Sequence, residues 1–226
     1  MHKIAIDQLI RSKRKTISLT ITKDAELVVR VPLRMPLKDI NRIIEEKTDW
    51  IISKREQVLK RKREFDALKF IEGGKFFFQG KTYTLVPKNE ISQIYFSNEK
   101  LYYPSCHDEK LPDILKKWCK AEAKKILPER LKQLSQMLNI PITGCSITSA
   151  RTRWGSCSAK NRISLTWRLI MANPDAIDYV IIHELCHVIH KNHSKEFWKK
   201  VKQIMPNYLI HKKWLKDHGY ILDLFE

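Results

Sequence analysis

Two histidines four residues apart, His183 and His187, enclose Glu184-Leu185-Cys186, and a third imidazole follows at His193. On an α-helix that separation amounts to about 40° of rotation and about 6 Å of rise, so both rings can close on one cation. Glu184 lies about 100° round from His183. It is beside the ion rather than on it, where a carboxylate can take a proton from a water that the ion polarises. Three protein ligands with a position left open is the donor set of catalytic zinc, whereas structural zinc is more often closed by four Cys or His ligands. Cys186 points about 80° from the mean direction of the two histidines and is read as helix flank. The pattern points to hydrolysis of a polarised carbonyl, with Zn²⁺ as cofactor, His183, His187 and His193 as metal ligands and Glu184 as the catalytic base.

The third ligand is a question of reach. His190 lies on the same side as the pair, but about 10 Å of helix separates it from His183, too far for one ion if the helix runs straight. His193 reaches only if the chain turns back, which Lys191-Asn192 permits because asparagine tolerates the left-handed conformation that ends helices. His193 is the favoured ligand and His190 its neighbour; Glu196, His211 and His218 stay open as alternatives. The helix that presents the pair has a well-formed start, with Asn173 as N-cap, Pro174 at the first position and Asp175 in the first turn. Ile177, Ile181, Ile182, Leu185, Val188 and Ile189 form its packing stripe, opposite the histidines. Ser194 and Glu196 mark the start of the next helix, which Pro206 ends.

Together with Arg153-Trp154-Gly155-Ser156-Cys157, Ile163-Ser164-Leu165, Trp167-Arg168-Leu169, the run Ile177 to His187, Asn192-His193-Ser194 and Phe197-Trp198, these residues give the chain a resemblance to the YgjP-like metal-dependent hydrolases. That family has a zincin-like metallopeptidase fold. The resemblance covers roughly residues 110 to 215, and more loosely the N-terminal half through Arg11 to Lys15 and Gly80-Lys81-Thr82-Tyr83. It implies the same three histidines as zinc ligands and Glu184 as acid/base. It also implies an edge strand beside the cleft, from Trp154 to Ser158 or Ile163 to Trp167, to which an extended peptide could add. Two positions depart from the family pattern: Thr166 stands where asparagine is expected, and Asn161 sits in a turn where glycine is usual. A metzincin is disfavoured, because His190 occupies the place of that motif's glycine.

The fold class read from the chain is α+β: a β-rich N-terminal part with one long helix over residues 1–105, then a zincin-like catalytic domain with a small sheet and the HExxH helix over 106–226. Strands at Thr16 to Ile21 and Glu26 to Val31 flank a turn at Lys23-Asp24, and a helix runs from Leu37 to about Phe65. Short strands follow at Phe76 to Phe78, Tyr83 to Val86 and Ile91 to Tyr103, and Pro104, Ser105 and Pro112 mark the boundary. Next come a helix from Leu111 to Leu138 broken near Pro128, a strand at Ile142 to Thr148, and Trp154 to Ser158 paired with Ile163 to Leu169.

The 226 residues carry 43 Lys and Arg against 25 Asp and Glu, a formal charge of +18 shared by both halves with no basic tail. Such a charge suits a solvated surface, and also attraction of an anionic substrate or nucleic acid. Lys60 to Arg63 is read as helix-terminal charge rather than a phosphate site. The five cysteines form no close pairs, as in a reducing compartment. With no apolar stretch long enough to span a bilayer and no signal-peptide core at its start, the chain is expected to be cytoplasmic. A peptide or protein is the expected substrate. The alternatives are a zinc hydrolase of nucleotides or phosphate esters, or a nucleic-acid-associated protein with a metal-binding domain. Tyr179, Tyr208, Tyr220, His190 and Arg153 are unranked candidates for stabilising an oxyanion.

Overall fold

The computed structural model describes residues 4–66, 70–105 and 108–225. Small sheets and six helices make a mixed α+β architecture, divided into two compact units, Met1–Ala67 and Leu68–Glu226.

In the first unit, β1 (Gln8–Ser12), β2 (Ser18–Ile21) and β3 (Leu27–Pro32) form a sheet in the order β1-β3-β2. The β2–β3 hairpin is as expected; β1, parallel to β3, is an addition. Central β3 buries Leu27, Val29 and Val31 against Ile40, Ile44 and Ile51. The long helix is two helices, α1 (Leu37–Glu46) and α2 (Thr48–Asp66). The Thr48 hydroxyl donates to the Ile44 carbonyl at 3.2 Å, occupying the acceptor that a continuous helix would give its amide.

The second unit contains the four-stranded sheet β4-β5-β7-β6, from β4 (Lys75–Phe78), β5 (Lys81–Lys88), β6 (Tyr95–Ser97) and β7 (Lys100–Pro104). Ile91 to Tyr103 is therefore not one strand: Asn98 and Glu99, both at positive φ, turn it into a hairpin. Phe76 and Phe78 are buried and ring-packed against Trp118, as a core strand rather than a ligand platform. The proline-rich break that sequence reading took as a domain boundary is a connection inside this unit. The β4–β5 turn hydrogen-bonds forward, with the Gly80 amide donating to the Met171 carbonyl at 3.0 Å.

α3 (Leu111–Met137) runs unbroken through Pro128. A proline there removes a backbone hydrogen bond and costs about 3 kcal/mol, but Leu115, Cys119, Ala123, Leu127 and Leu131 continue one fully buried stripe across it. Packing of that stripe outweighs the local break. β8 (Gly144–Thr148), β9 (Gly155–Cys157) and β10 (Arg162–Thr166) form the last sheet, with β10 between a parallel β8 and an antiparallel β9. Asn161, where glycine was expected, takes φ 58°, a conformation asparagine tolerates. Thr166 donates its hydroxyl to the Ala150 carbonyl at 2.7 Å. Trp167–Met171 is a buried 3-10 turn, not an extension of β10.

That turn delivers the chain to α4 (Pro174–Ile189), followed by α5 (Lys195–Ile204) and α6 (Tyr208–Asp217). Asn173 caps α4, its side-chain oxygen accepting from the Ala176 amide at 2.7 Å. Replacing Asn173 with alanine keeps its Cβ but leaves that amide unbonded; denaturant unfolding should show a loss of about 1 kcal/mol, recovered by Asn173→Asp. Arg130 of α3 donates to both carboxylate oxygens of Asp178 at 2.7 and 2.6 Å, tying α4 to α3. No helix among the described residues is long and apolar enough to cross a membrane. Cys119, Cys145, Cys157 and Cys186 are free thiols, while Cys106 lies outside the described residues.

Candidate metal centre

α4 is buried nearly all round, with Ile177, Ile181, Ile182 and Leu185 in the core as read from sequence. Ile189 departs from that stripe; it is exposed at the helix end. His183 and His187 lie one turn apart on α4 with ring centroids 4.9 Å from each other. Beyond Ile189, His190 is extended, at φ −123°, and the chain reverses. No left-handed residue makes this reversal; the Asn192 side chain instead accepts from the Ser194 amide at 3.2 Å. Ser194 then caps α5 by accepting from the Phe197 amide at 3.3 Å. His193, between the two helices, is brought back over α4.

The result is a focus of three ring nitrogens. Nε2 of His193 is 3.0 Å from Nε2 of His183 and 3.2 Å from Nε2 of His187. Nδ1 of His187 is 3.0 Å from the His190 carbonyl oxygen. A carbonyl only accepts, so that contact places the proton on Nδ1 and leaves the lone pair of His187 Nε2 facing inward. One proton on His193 Nε2 cannot point at both neighbours, so the neutral cluster leaves a close nitrogen pair without a bridging hydrogen. A single cation at the focus would satisfy all three lone pairs, and the donor set fits a borderline-soft divalent ion.

Burial first, then the neighbouring His187 and His193, push the His183 imidazole down to about 3, so it stays neutral at any ordinary pH. His193 is lowered in the same direction, chiefly by burial. Neutral imidazole is the form that binds metal. Phe197 and Trp198 of α5 set the ring orientations: Phe197 stacks on His187 at 4.4 Å and Trp198 on His193 at 5.6 Å. Sequence reading gave these two aromatics no role at the site, although their fixed distance from His193 was visible.

Glu184 is only 5 % exposed and lies between this cluster and β9. Burial raises its carboxyl to about 7, with Arg153 opposing the rise. The space for it exists because residue 155 is glycine: a Cβ there would come within 2.8 Å of both Cγ and Oε1 of Glu184. β9 is a sheet edge, so of the two strands expected beside the cleft it is the earlier one, and β10 is interior.

The other sequence candidates are occupied elsewhere. His190 contributes its carbonyl, not its ring, to His187. The His218 ring stacks on Trp214 at 4.0 Å. His211 is buried and Glu196 exposed, and neither joins the cluster, which among the described residues consists of His183, His187 and His193. Asp178 is held by Arg130 rather than by Arg151 or Arg153.

An α+β unit that gathers three imidazoles beside a buried carboxylate has the parts of a metal-dependent hydrolase. The sequence pattern described as YgjP-like, metallopeptidase domain, matches residues 15–218, and the chain belongs to the YgjP-like family. Among solved structures it is similar to the metallopeptidase zymogen of Pyrococcus abyssi abylysin, with 21 % identity and a TM-score of 0.36, over 40 % of this chain and 90 % of that one. No curated protein matches the chain.

Proposed function

We propose that this chain is a zinc-dependent peptidase in which His183, His187 and His193 hold the ion and Glu184 is the general base. The supporting observation is the convergence of three inward-facing imidazole nitrogens with a carboxylate on the helix that carries two of them. A bound Zn²⁺ supplies Lewis acidity, which polarises the scissile carbonyl and acidifies water to a pKa of about 7. Glu184 accepts the proton of the attacking water and returns it to the departing amine. Its burial excludes bulk solvent from that transfer, and Gly155 gives the carboxylate the space it occupies, since a Cβ there would lie 2.8 Å from its Cγ and Oε1. The Tyr179 hydroxyl, raised to about 12 chiefly by burial, keeps its proton, and Tyr179 lines a cavity together with His183 and Glu184, as a neutral donor for developing negative charge. The edge of β9 offers main-chain groups to an extended peptide, and a peptide or protein is the substrate this arrangement suits best.

The test is metal content measured beside peptide cleavage. Purified protein should carry zinc, and His193→Ala should lose both zinc and cleavage. His190→Ala should keep both, because the group that orients His187 is the residue 190 carbonyl, which alanine retains. Loss of metal in His190→Ala with retention in His193→Ala would reverse the ligand assignment.

A further inference from the structure

Beside His183 and Glu184 opens a cavity of about 330 Å³, whose apolar lining includes Trp154, Val180 and Leu215. Its charged lining is Arg153, Lys212 and Lys216, and Glu184 is the one acid among its lining residues. Resting on the peptidase reading above, we propose that this cavity seats a substrate carboxylate next to the bond being cut, held by Arg153, Lys212 and Lys216.

The cations are arranged for this. Lys212 and Lys216 are four residues apart on α6 and so share a face. Arg153, from the segment before β9, also lines the cavity. The Lys212 ammonium rests 4.1 Å from the centre of the Trp198 ring, which steadies it without neutralising it. Some cations of the chain are held by carboxylates, Arg130 by Asp178, Lys62 by Asp24 and Lys125 by Glu122. Arg153, Lys212 and Lys216 form no ion pair with any described residue, and cations left unpaired around a concave, partly apolar surface concentrate field on it. The volume is at the small end of ligand sites and suits a side chain or a chain end rather than a tract of nucleic acid.

The source of the carboxylate, an acidic side chain or the peptide's C-terminus, is decided by the probes. Zinc-loaded Glu184→Gln protein is titrated with fluorescent decapeptides that differ only by Glu against Gln at one position, each made as free acid and as amide. In low salt the better-placed carboxylate should bind about tenfold more tightly than its neutral partner. Substituting both Lys212→Gln and Lys216→Gln should reduce that ratio to about twofold, and high salt should do the same. A Glu effect that persists in the amides identifies a side chain, while an effect confined to the free acids identifies the C-terminus. Equal binding of all partners, or a preference that survives the double substitution, overturns the proposal. So does tighter binding of a single-stranded oligonucleotide that is lost in the double variant, which reassigns the cations to phosphate. If the unsubstituted enzyme cleaves none of the four peptides, the peptidase reading fails, and the binding ratio still decides the carboxylate site.

Discussion

Glu184→Gln should retain its metal and lose about a thousandfold in kcat, the scale of a missing general base. The substitution is nearly isosteric, so the amide fills the same space against Gly155, and none of the three converging nitrogens is touched. What disappears is the ability to accept a proton. Unchanged hydrolysis in this variant would remove Glu184 from the mechanism. The same substitution makes a second, independent mark on the metal-free protein. The carboxyl is raised from 4.5 to about 7 in the folded chain. Its contribution to stability is thus complete below pH 4.5 and is lost as pH rises through 7, by a total of about 3 kcal/mol. The substituted amide does not ionise and escapes that loss. After chelation, thermal unfolding at pH 8 should find Glu184→Gln more stable than the parent, and at pH 4.5 the two should agree. His183 works in the opposite sense: lowered to about 3, it costs stability only as pH falls below its ordinary value of 6.5.

Gly80→Ala should be among the most damaging single-methyl additions to the second unit. Gly80 has φ +74°, and a Cβ there would meet Asn173 Cβ at 2.5 Å and Asn173 Cα at 2.8 Å. Neither atom is the free end of a side chain, so the cap of α4 must shift. Left-handed strain and overpacking together should cost about 3 kcal/mol, or roughly 10 °C in Tm. Gly73 provides the control, since it has nearly the same φ, +72°, with nothing within 4 Å of its Cβ. Gly73→Ala should therefore cost only about 1 kcal/mol. Equal losses in the two variants would mean that backbone conformation, not the contact with Asn173, is what Gly80 serves. Because α4 carries His183, Glu184 and His187, Gly80→Ala should also weaken metal retention, and Gly73→Ala should not.

The places where sequence and structure part company share a cause. Pro128 and the proline-rich segment after Tyr103 are local signals for interruption, yet α3 passes through the first. The second merely links β7 to α3 within one unit. A buried stripe of leucines and a turn docked on Met171 are non-local, and their combined burial exceeds the local penalty. Lys47 is the reverse case. Apolar periodicity continues across it, but the Lys47 backbone leaves the helical conformation at φ −107°, and the Ile44 carbonyl takes the Lys47 amide and the Thr48 hydroxyl where α1 ends.

For the site, spacing alone determined that His183 and His187 share a helix face with Glu184 offset between them, because the α-helical repeat fixes those angles whatever the surroundings. The cap at Asn173 and the restart at Ser194 were equally legible, since capping depends on residues two or three apart. The third ligand was a choice in which His193 was favoured over its neighbour His190, with Glu196, His211 and His218 open as alternatives. Only the tertiary structure could bring one of them to the pair, by turning the chain after Ile189 and holding the rings between Phe197 and Trp198. It alone also decided that Gly155, Lys212 and Lys216, remote in the chain, surround Glu184 and its cavity. Helical angles are a property of the backbone and travel with the sequence, whereas contacts between distant segments exist only once a shared core has closed.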